Sequence, residues 1–187
     1  MKLYIKNMVC HRCKVAVKTI LEKEGLYPMN ITLGEVSIEE EKITPQQKDH
    51  LAKALKELGF ELIDDKRSKL IEQIKSFIIE KVHYNGEKQP LKLSELLSQH
   101  LKHDYSYLSN LFSEVEGITI EQFLIHQKIE KVKEMIIYDE ENLSGIAFQM
   151  GYSSVAYLSN QFKKVTGFTP TQFRHLAQKN RKSLDNI

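Results

Sequence analysis

The sequence predicts an α+β chain: a small N-terminal βαββαβ domain over residues 1–65, followed by an all-α domain over 66–187 with two helix-turn-helix units joined by a long helix. Three observations predict it. Residues 107–123 (YLSNLFSEVEGITIEQF) and 157–173 (YLSNQFKKVTGFTPTQF) align without a gap at an offset of 50 and agree at ten of seventeen positions. The same offset pairs Leu93, Ser94 and Gln99 with Leu143, Ser144 and Gln149, so the chain holds two copies of one helical module. Upstream of both copies, short strand-like runs alternate with two helical ones. Two copies are too few for a solenoid, whose units must stack in numbers to cover a core. A tandem pair suits a chain that reads two neighbouring places on a long ligand.

In the N-terminal part, Leu3 and Ile5 alternate with polar neighbours as in a strand, and Val15, Val17, Ile20 and Leu21 continue as a helix to Gly25. Residues 27–33 and 36–38 read as two short strands across Gly34. Thr44-Pro45-Gln46-Gln47 supplies an N-cap, a proline at the first helical position and a capping-box glutamine for a helix that ends at Gly59. A last strand, 60–63, closes the unit. The order βαββαβ is that of a ferredoxin-like fold. The short charged junction Asp64-Asp65-Lys66-Arg67-Ser68 leaves no room for independent tethered motion, and Asn85–Pro90 reads as a surface loop.

In the second copy, Leu143, Ile146, Ala147 and Met150 recur at helical spacing, Gly151 breaks the pattern, and Ser153 offers an N-cap for a new helix. That helix carries Leu158, Phe162 and Val165 as one apolar stripe and stops at Gly167. Its other side presents Ala156, Ser159, Asn160, Lys163 and Lys164. Small side chains permit approach to a DNA major groove, amides pair with base edges and lysines meet phosphates. An amphipathic hairpin of an all-helical domain has the same local pattern.

Residues 145–174, GIAFQMGYSSVAYLSNQFKKVTGFTPTQFR, resemble the second helix-turn-helix of AraC/XylS-type transcription regulators, down to Gly167, Pro170, Phe173 and Arg174. The resemblance extends over roughly 70–178, where LIEQIKSFIIEKV is similar to the family's opening helix and HQKIEKVKEMII to its long joining helix. It implies units at about 91–117 and 143–167 whose second helices enter successive major grooves, a spacing on the order of 34 Å. The DNA-contacting residues it implies are Ser106, Tyr107, Ser109 and Asn110 in the first copy and Val155, Ala156, Ser159 and Asn160 in the second, with Lys163 and Lys164 on phosphate. The partner is then double-stranded DNA, and RNA polymerase and a second copy of the chain are further candidates. Where many members place Gln or Arg, this chain has Ser, Val, Ala and Asn, which leaves base reading chiefly to Asn110 and Asn160. The first copy also has Ser113, Glu114 and Glu116 where the second has Lys163, Lys164 and Thr166, so the second copy is expected to dominate affinity for a polyanion. The acidic first copy has the alternative of a protein-contact surface.

Cys10-His11-Arg12-Cys13, where the first strand meets the first helix, with Met8 before it, resembles the heavy-metal-associated domains of copper chaperones and metal-transporting ATPases. The resemblance covers about 1–65 and implies a site for Cu(I) or another soft metal ion at Cys10 and Cys13. Two soft thiolates on one loop suit such an ion, and a helix N-terminus with Arg12 is expected to lower the thiol pKa. The family's Gly-Met-Thr before the first cysteine is Asn7-Met8-Val9 here. A redox dithiol, a zinc site completed from elsewhere and a fold kept for dimerisation or effector binding remain open beside it.

The net charge of +2 falls short of a dedicated nucleic-acid binder, although residues 66–187 carry seventeen Lys or Arg against fourteen Asp or Glu, and 1–65 ten against eleven. Lys179, Arg181 and Lys182 add a basic tail. With neither a membrane-spanning run nor a signal peptide, the expected place is the cytoplasm, where both cysteines stay thiols. His83, His100, His103, His126 and His175 are scattered, and no nucleophile elbow, phosphate loop or carboxylate pair appears, so an enzyme is not expected. The reading is a DNA-binding transcription regulator responsive to a soft metal ion; the rival is a metal-trafficking or protein-interaction protein whose helical half binds a protein.

Overall fold

The computed structural model describes residues 1–84, 92–138 and 141–179, and for 177–179 the backbone alone. The loop 85–90 and the basic residues Arg181 and Lys182 lie outside the described residues. The order is β1 (Lys2–Lys6), α1 (His11–Lys23), β2 (Pro28–Ile31), β3 (Glu35–Ile38), α2 (Pro45–Glu57), β4 (Glu61–Ile63), α3 (Lys66–His83), α4 (Leu93–Leu101), α5 (Tyr105–Glu116), α6 (Ile120–Tyr138), α7 (Leu143–Gln149), α8 (Val155–Thr166) and α9 (Pro170–Lys179). The result is a mostly helical chain with one small antiparallel sheet. It packs as two compact units, one of Met1–Glu80 with Leu91–Gly117 and the other of Lys81–Pro90 with Ile118–Ile187. Among the described residues no helix is long and apolar enough to cross a membrane.

In the first unit the strands run in the order β2-β3-β1-β4, every pair antiparallel, with Leu3 opposite Val36 and Ile5 opposite Leu62. Strand alternation sends Leu3, Ile5, Val36 and Ile38 to one buried face, and α1 and α2 add Val17, Ile20, Leu21, Leu51 and Leu55 to the same core. Val15 departs from the expected stripe and is exposed. Thr44 caps α2 as expected: its hydroxyl accepts from the Gln47 backbone N–H at 3.1 Å while the Gln47 side-chain oxygen Oε1 accepts from the Thr44 N–H at 3.0 Å.

The opposite, more polar face of the sheet, with Tyr4 paired to Glu35, is met by α3. The Lys69 ammonium lies 5.2 Å from the centre of the Tyr4 ring, and Gln73 Nε2 reaches Glu35 Oε2 at 3.5 Å. Gly34, at φ +77°, lets the β2–β3 turn approach α3 so closely that a Cβ there would stand 2.6 Å from Ser76 Oγ. Glu72 of α3 is only 5% exposed, with the Asn7 backbone nearby.

Burial pushes the Glu72 carboxyl above its usual range, with Glu116 adding like charge, against the opposing pull of Lys75, the Asn7 N–H and Lys6. A raised folded-state pKa favours the protonated acid, so this group's contribution to stability is present below the ordinary carboxylate pKa and is lost as pH rises through the folded value. Glu72→Gln removes the buried charge. It is expected to raise the melting temperature at pH 7 and to leave it nearly unchanged near pH 4; an equal shift at both pH values would contradict the account.

In the second unit, Ile129, Val132, Met135 and Ile136 of α6 bury against Ile146, Ala147, Leu158 and Phe162, and Phe173 of α9 packs edge-on to Phe162 with ring centres 5.5 Å apart. Thr119 and Thr169 cap α6 and α9 with the same reciprocal bonds to Gln122 and Gln172 that Thr44 makes to Gln47. These two positions lie at the repeat offset, so the duplicated sequence encodes a duplicated helix start.

Candidate nucleic-acid interface

Helix α8 begins one residue later than the sequence suggests. Ser154, not Ser153, is the N-cap: its backbone is extended and its hydroxyl accepts from the Tyr157 N–H at 3.1 Å. The helix stops at Gly167 in the left-handed region, φ +81°. Leu158 and Phe162 are fully buried, which turns Ala156, Asn160, Lys163 and Lys164 outward, all exposed. Ser159 is half-buried, and Val155, also half-buried, packs against the core cluster. Val165 corrects the expected apolar stripe. The last turn of α8 runs past the core cluster, and Val165 borders an apolar groove of about 500 Å³ with Ile137, Phe168, Phe173 and Leu176.

Helix α5 repeats this plan inside the first unit. Leu108 and Phe112 are fully buried, Gly117 ends the helix at φ +71°, and Ser106, Tyr107 and Asn110 are exposed while Ser109 is half-buried. Its N-cap is Asp104, whose side chain makes no capping bond. No hydrogen bond to the Asn110 or Asn160 amide occurs among the described residues, so both are available to a ligand.

The two carboxylates of the first copy have partners that the sequence did not disclose. Glu114 Oε2 lies 2.6 Å from Arg67 Nη2, and Glu116 Oε1 lies 2.7 Å from Lys75 Nζ, both cations being on α3. Arg67 holds the Glu114 carboxyl below its usual range. The Arg67–Glu114 pair is mostly exposed and adds little stability; the Lys75–Glu116 pair is largely covered. Charge at the end of α5 is thus matched within the unit.

Cys10 and Cys13 stand at the start of α1, half-buried, with Sγ atoms 3.4 Å apart. The Cys13 backbone N–H and thiol, followed by the Arg12 backbone and charge, lower the Cys10 pKa. The direction is the expected one, but Arg12 is the smallest contributor. Met8 is fully buried beneath the loop. With metal–sulfur bonds of about 2.3 Å, two thiolates at this separation can both reach one ion. Among the described residues there is no group of three or more His, Cys, Asp or Glu that could hold a metal ion. Both ends of the loop face α3: the Asn7 backbone pulls the Glu72 pKa down, and Lys14 Nζ lies 3.8 Å from Glu80.

Residues 97–175 match a family described as a helix-turn-helix domain. An uncharacterized HTH-type transcriptional regulator of Staphylococcus aureus is 34% identical over 113 residues, 60% of this chain and 14% of that protein. The melibiose operon regulatory protein of Escherichia coli K12 is 26% identical over 95 residues, 51% of this chain and 31% of that one. The chain therefore spans only a small part of the length of the curated relatives it matches. Among solved structures, the C-terminal domain of AraT, a response regulator from Geobacillus stearothermophilus, superposes with a TM-score of 0.51 at 26% identity, covering 64% of this chain and 93% of that one. A DNA-binding transcriptional dual regulator from Escherichia coli K-12 shares the fold, with a TM-score of 0.50 at 19% identity over 59% of this chain and 94% of that one. The proteins it resembles are transcription regulators and not enzymes. Two helix pairs whose second helices, α5 and α8, each end at a left-handed glycine fit the helix-turn-helix domain matched over residues 97–175.

Proposed function

We propose that this chain is a cytoplasmic transcription regulator that binds double-stranded DNA through α5 and α8, under the control of an N-terminal domain that senses a soft metal ion such as Cu(I) at Cys10 and Cys13. The observation that carries the DNA-binding half is the outward face of α8, where Ala156, Asn160, Lys163 and Lys164 are exposed together on the side opposite the buried Leu158 and Phe162. Asn160 and its counterpart Asn110 are the base readers of this proposal; Ser106, Tyr107, Ser109, Val155, Ala156 and Ser159 shape the approach, and the two lysines meet phosphate. The sensory half is residues 1–65, read as a ferredoxin-like domain. Its strand order β2-β3-β1-β4 and the two thiols on the β1–α1 loop support that reading.

The test is a salt titration of DNA binding, followed by fluorescence anisotropy, for the wild-type chain and the double variant Lys163→Ala/Lys164→Ala. Each lost phosphate contact removes about 0.9 from the slope of log K against log salt, so the double variant is expected to flatten it by about two units and to weaken binding to all sequences alike. A slope identical to wild type would move α8 off the phosphates.

A further inference from the structure

The geometry points to Lys128 as the positioning residue of the second reading unit: its ammonium pins the turn between α7 and α8 and so sets the face that α8 offers to DNA. This rests on the DNA-binding reading of α8. Lys128 lies on α6, well before the turn in sequence, and is half-buried. Its Nζ donates to the backbone carbonyl of Met150 at 2.9 Å. Met150 is the C-cap of α7, where helix carbonyls lack partners and a cation is favoured by the helix dipole. The same ammonium stands 5.4 Å from the centre of the Tyr152 ring. Between these two contacts, Gly151 reverses the chain at φ +71°.

The link continues into α8. The Tyr152 hydroxyl donates to Gln161 Oε1 at 2.6 Å, and Gln161 sits one residue beyond Asn160. One connected set of polar contacts therefore runs from α6 through the turn to the middle of the reading helix. Burial lowers the Lys128 pKa, and burial, with Tyr157 nearby, pushes Tyr152 up to about 12.

The first copy supplies an internal control. At the repeat offset, Lys128 corresponds to Ile78 and Gln161 to Leu111, both buried and apolar. The same helical plan is thus built without the polar link, so packing alone suffices for the fold, and what Lys128 adds in the second copy is a directional constraint. A desolvated ammonium costs free energy relative to an apolar side chain of similar length, which separates its positioning role from any role in stability.

The test uses the full chain, its Lys128→Met and Lys128→Arg variants, and duplexes of about 30 base pairs selected by the wild type from a random pool, long enough for two grooves one turn apart. Lys128→Met is expected to keep a melting temperature within a few degrees of wild type, to lose backbone protection over one half of the hydroxyl-radical footprint and to bind about tenfold more weakly. It should also speed amide exchange at residues 151–155 without changing exchange in α6. Lys128→Arg, which can still donate to the Met150 carbonyl, is expected to restore the footprint. A Lys128→Met footprint and affinity equal to wild type would overturn the proposal alone. So would a large loss of melting temperature with both halves weakened equally and no rescue by arginine, because that marks a residue needed only for folding. A wild-type chain that selects no duplex sinks the DNA-binding reading and this proposal with it.

Discussion

Phe162→Ala is expected to destabilise the second unit by about 3–5 kcal/mol, a large share of the roughly 5–15 kcal/mol that holds an ordinary domain together. Phe162 is fully buried, and its ring is the point at which the core cluster of α6, α7 and α8 meets Phe173 of α9. Truncation removes the transferred ring area and leaves a cavity that helices on several sides cannot all close. Chemical denaturation followed by circular dichroism measures the effect. Loss of the edge-on contact adds to the area term, by about 0.5–1.5 kcal/mol for such a pair. A change below about 1 kcal/mol would mean that the unit repacks freely around the gap and that the cluster is not its core. The matching Phe112→Ala in the first unit is a parallel case, since Phe112 is buried equally.

What the sequence made legible is whatever repeats or is local. The offset of 50 located Leu108 with Leu158, Phe112 with Phe162 and Gly117 with Gly167, and each pair has the same burial or the same left-handed backbone in both units. The Thr44 capping box is readable because its partners are three residues apart, and Thr119 and Thr169 carry the same local pattern. Ser153 and Ser154 are neighbours of one chemistry, and only the extended backbone of Ser154 decides which of them caps α8. Val165 had the right period for the core, but periodicity does not say where the neighbouring helices end. The partners of Glu114 and Glu116 were illegible for a different reason. Arg67 and Lys75 lie about forty residues upstream, and nothing in either segment names the other. The docking of α3 on the polar face of the sheet was hidden likewise, because Tyr4, Glu35 and Gly34 read locally as strand and turn.

That docking gives the metal-sensing proposal a physical route and its decisive test. Asn7 and Lys14 flank the cysteine loop, and both face α3, at Glu72 and Glu80. Helix α3 in turn holds Glu114 and Glu116 of α5 through Arg67 and Lys75. In the proposed sensor, a change in the loop would therefore reach first the helix that also holds α5. Under reducing conditions the chain is expected to bind one Cu(I), and Cys10→Ser or Cys13→Ser to abolish that binding. Affinity for a selected duplex should differ between apo and Cu(I)-loaded protein by a factor of about 5–150, and by linkage the duplex must change Cu(I) affinity by the same factor. Lys14→Met and Glu80→Gln remove one of the two ties while leaving both thiols in place, so they should retain Cu(I) binding and shrink the factor. Tight Cu(I) binding with identical DNA affinity in both states would leave an ion carrier joined to a DNA-binding domain and end the sensor reading. A factor unchanged in Lys14→Met and in Glu80→Gln would keep the sensor but take its signal off α3, since a coupling free energy must reside in contacts that differ between the two states.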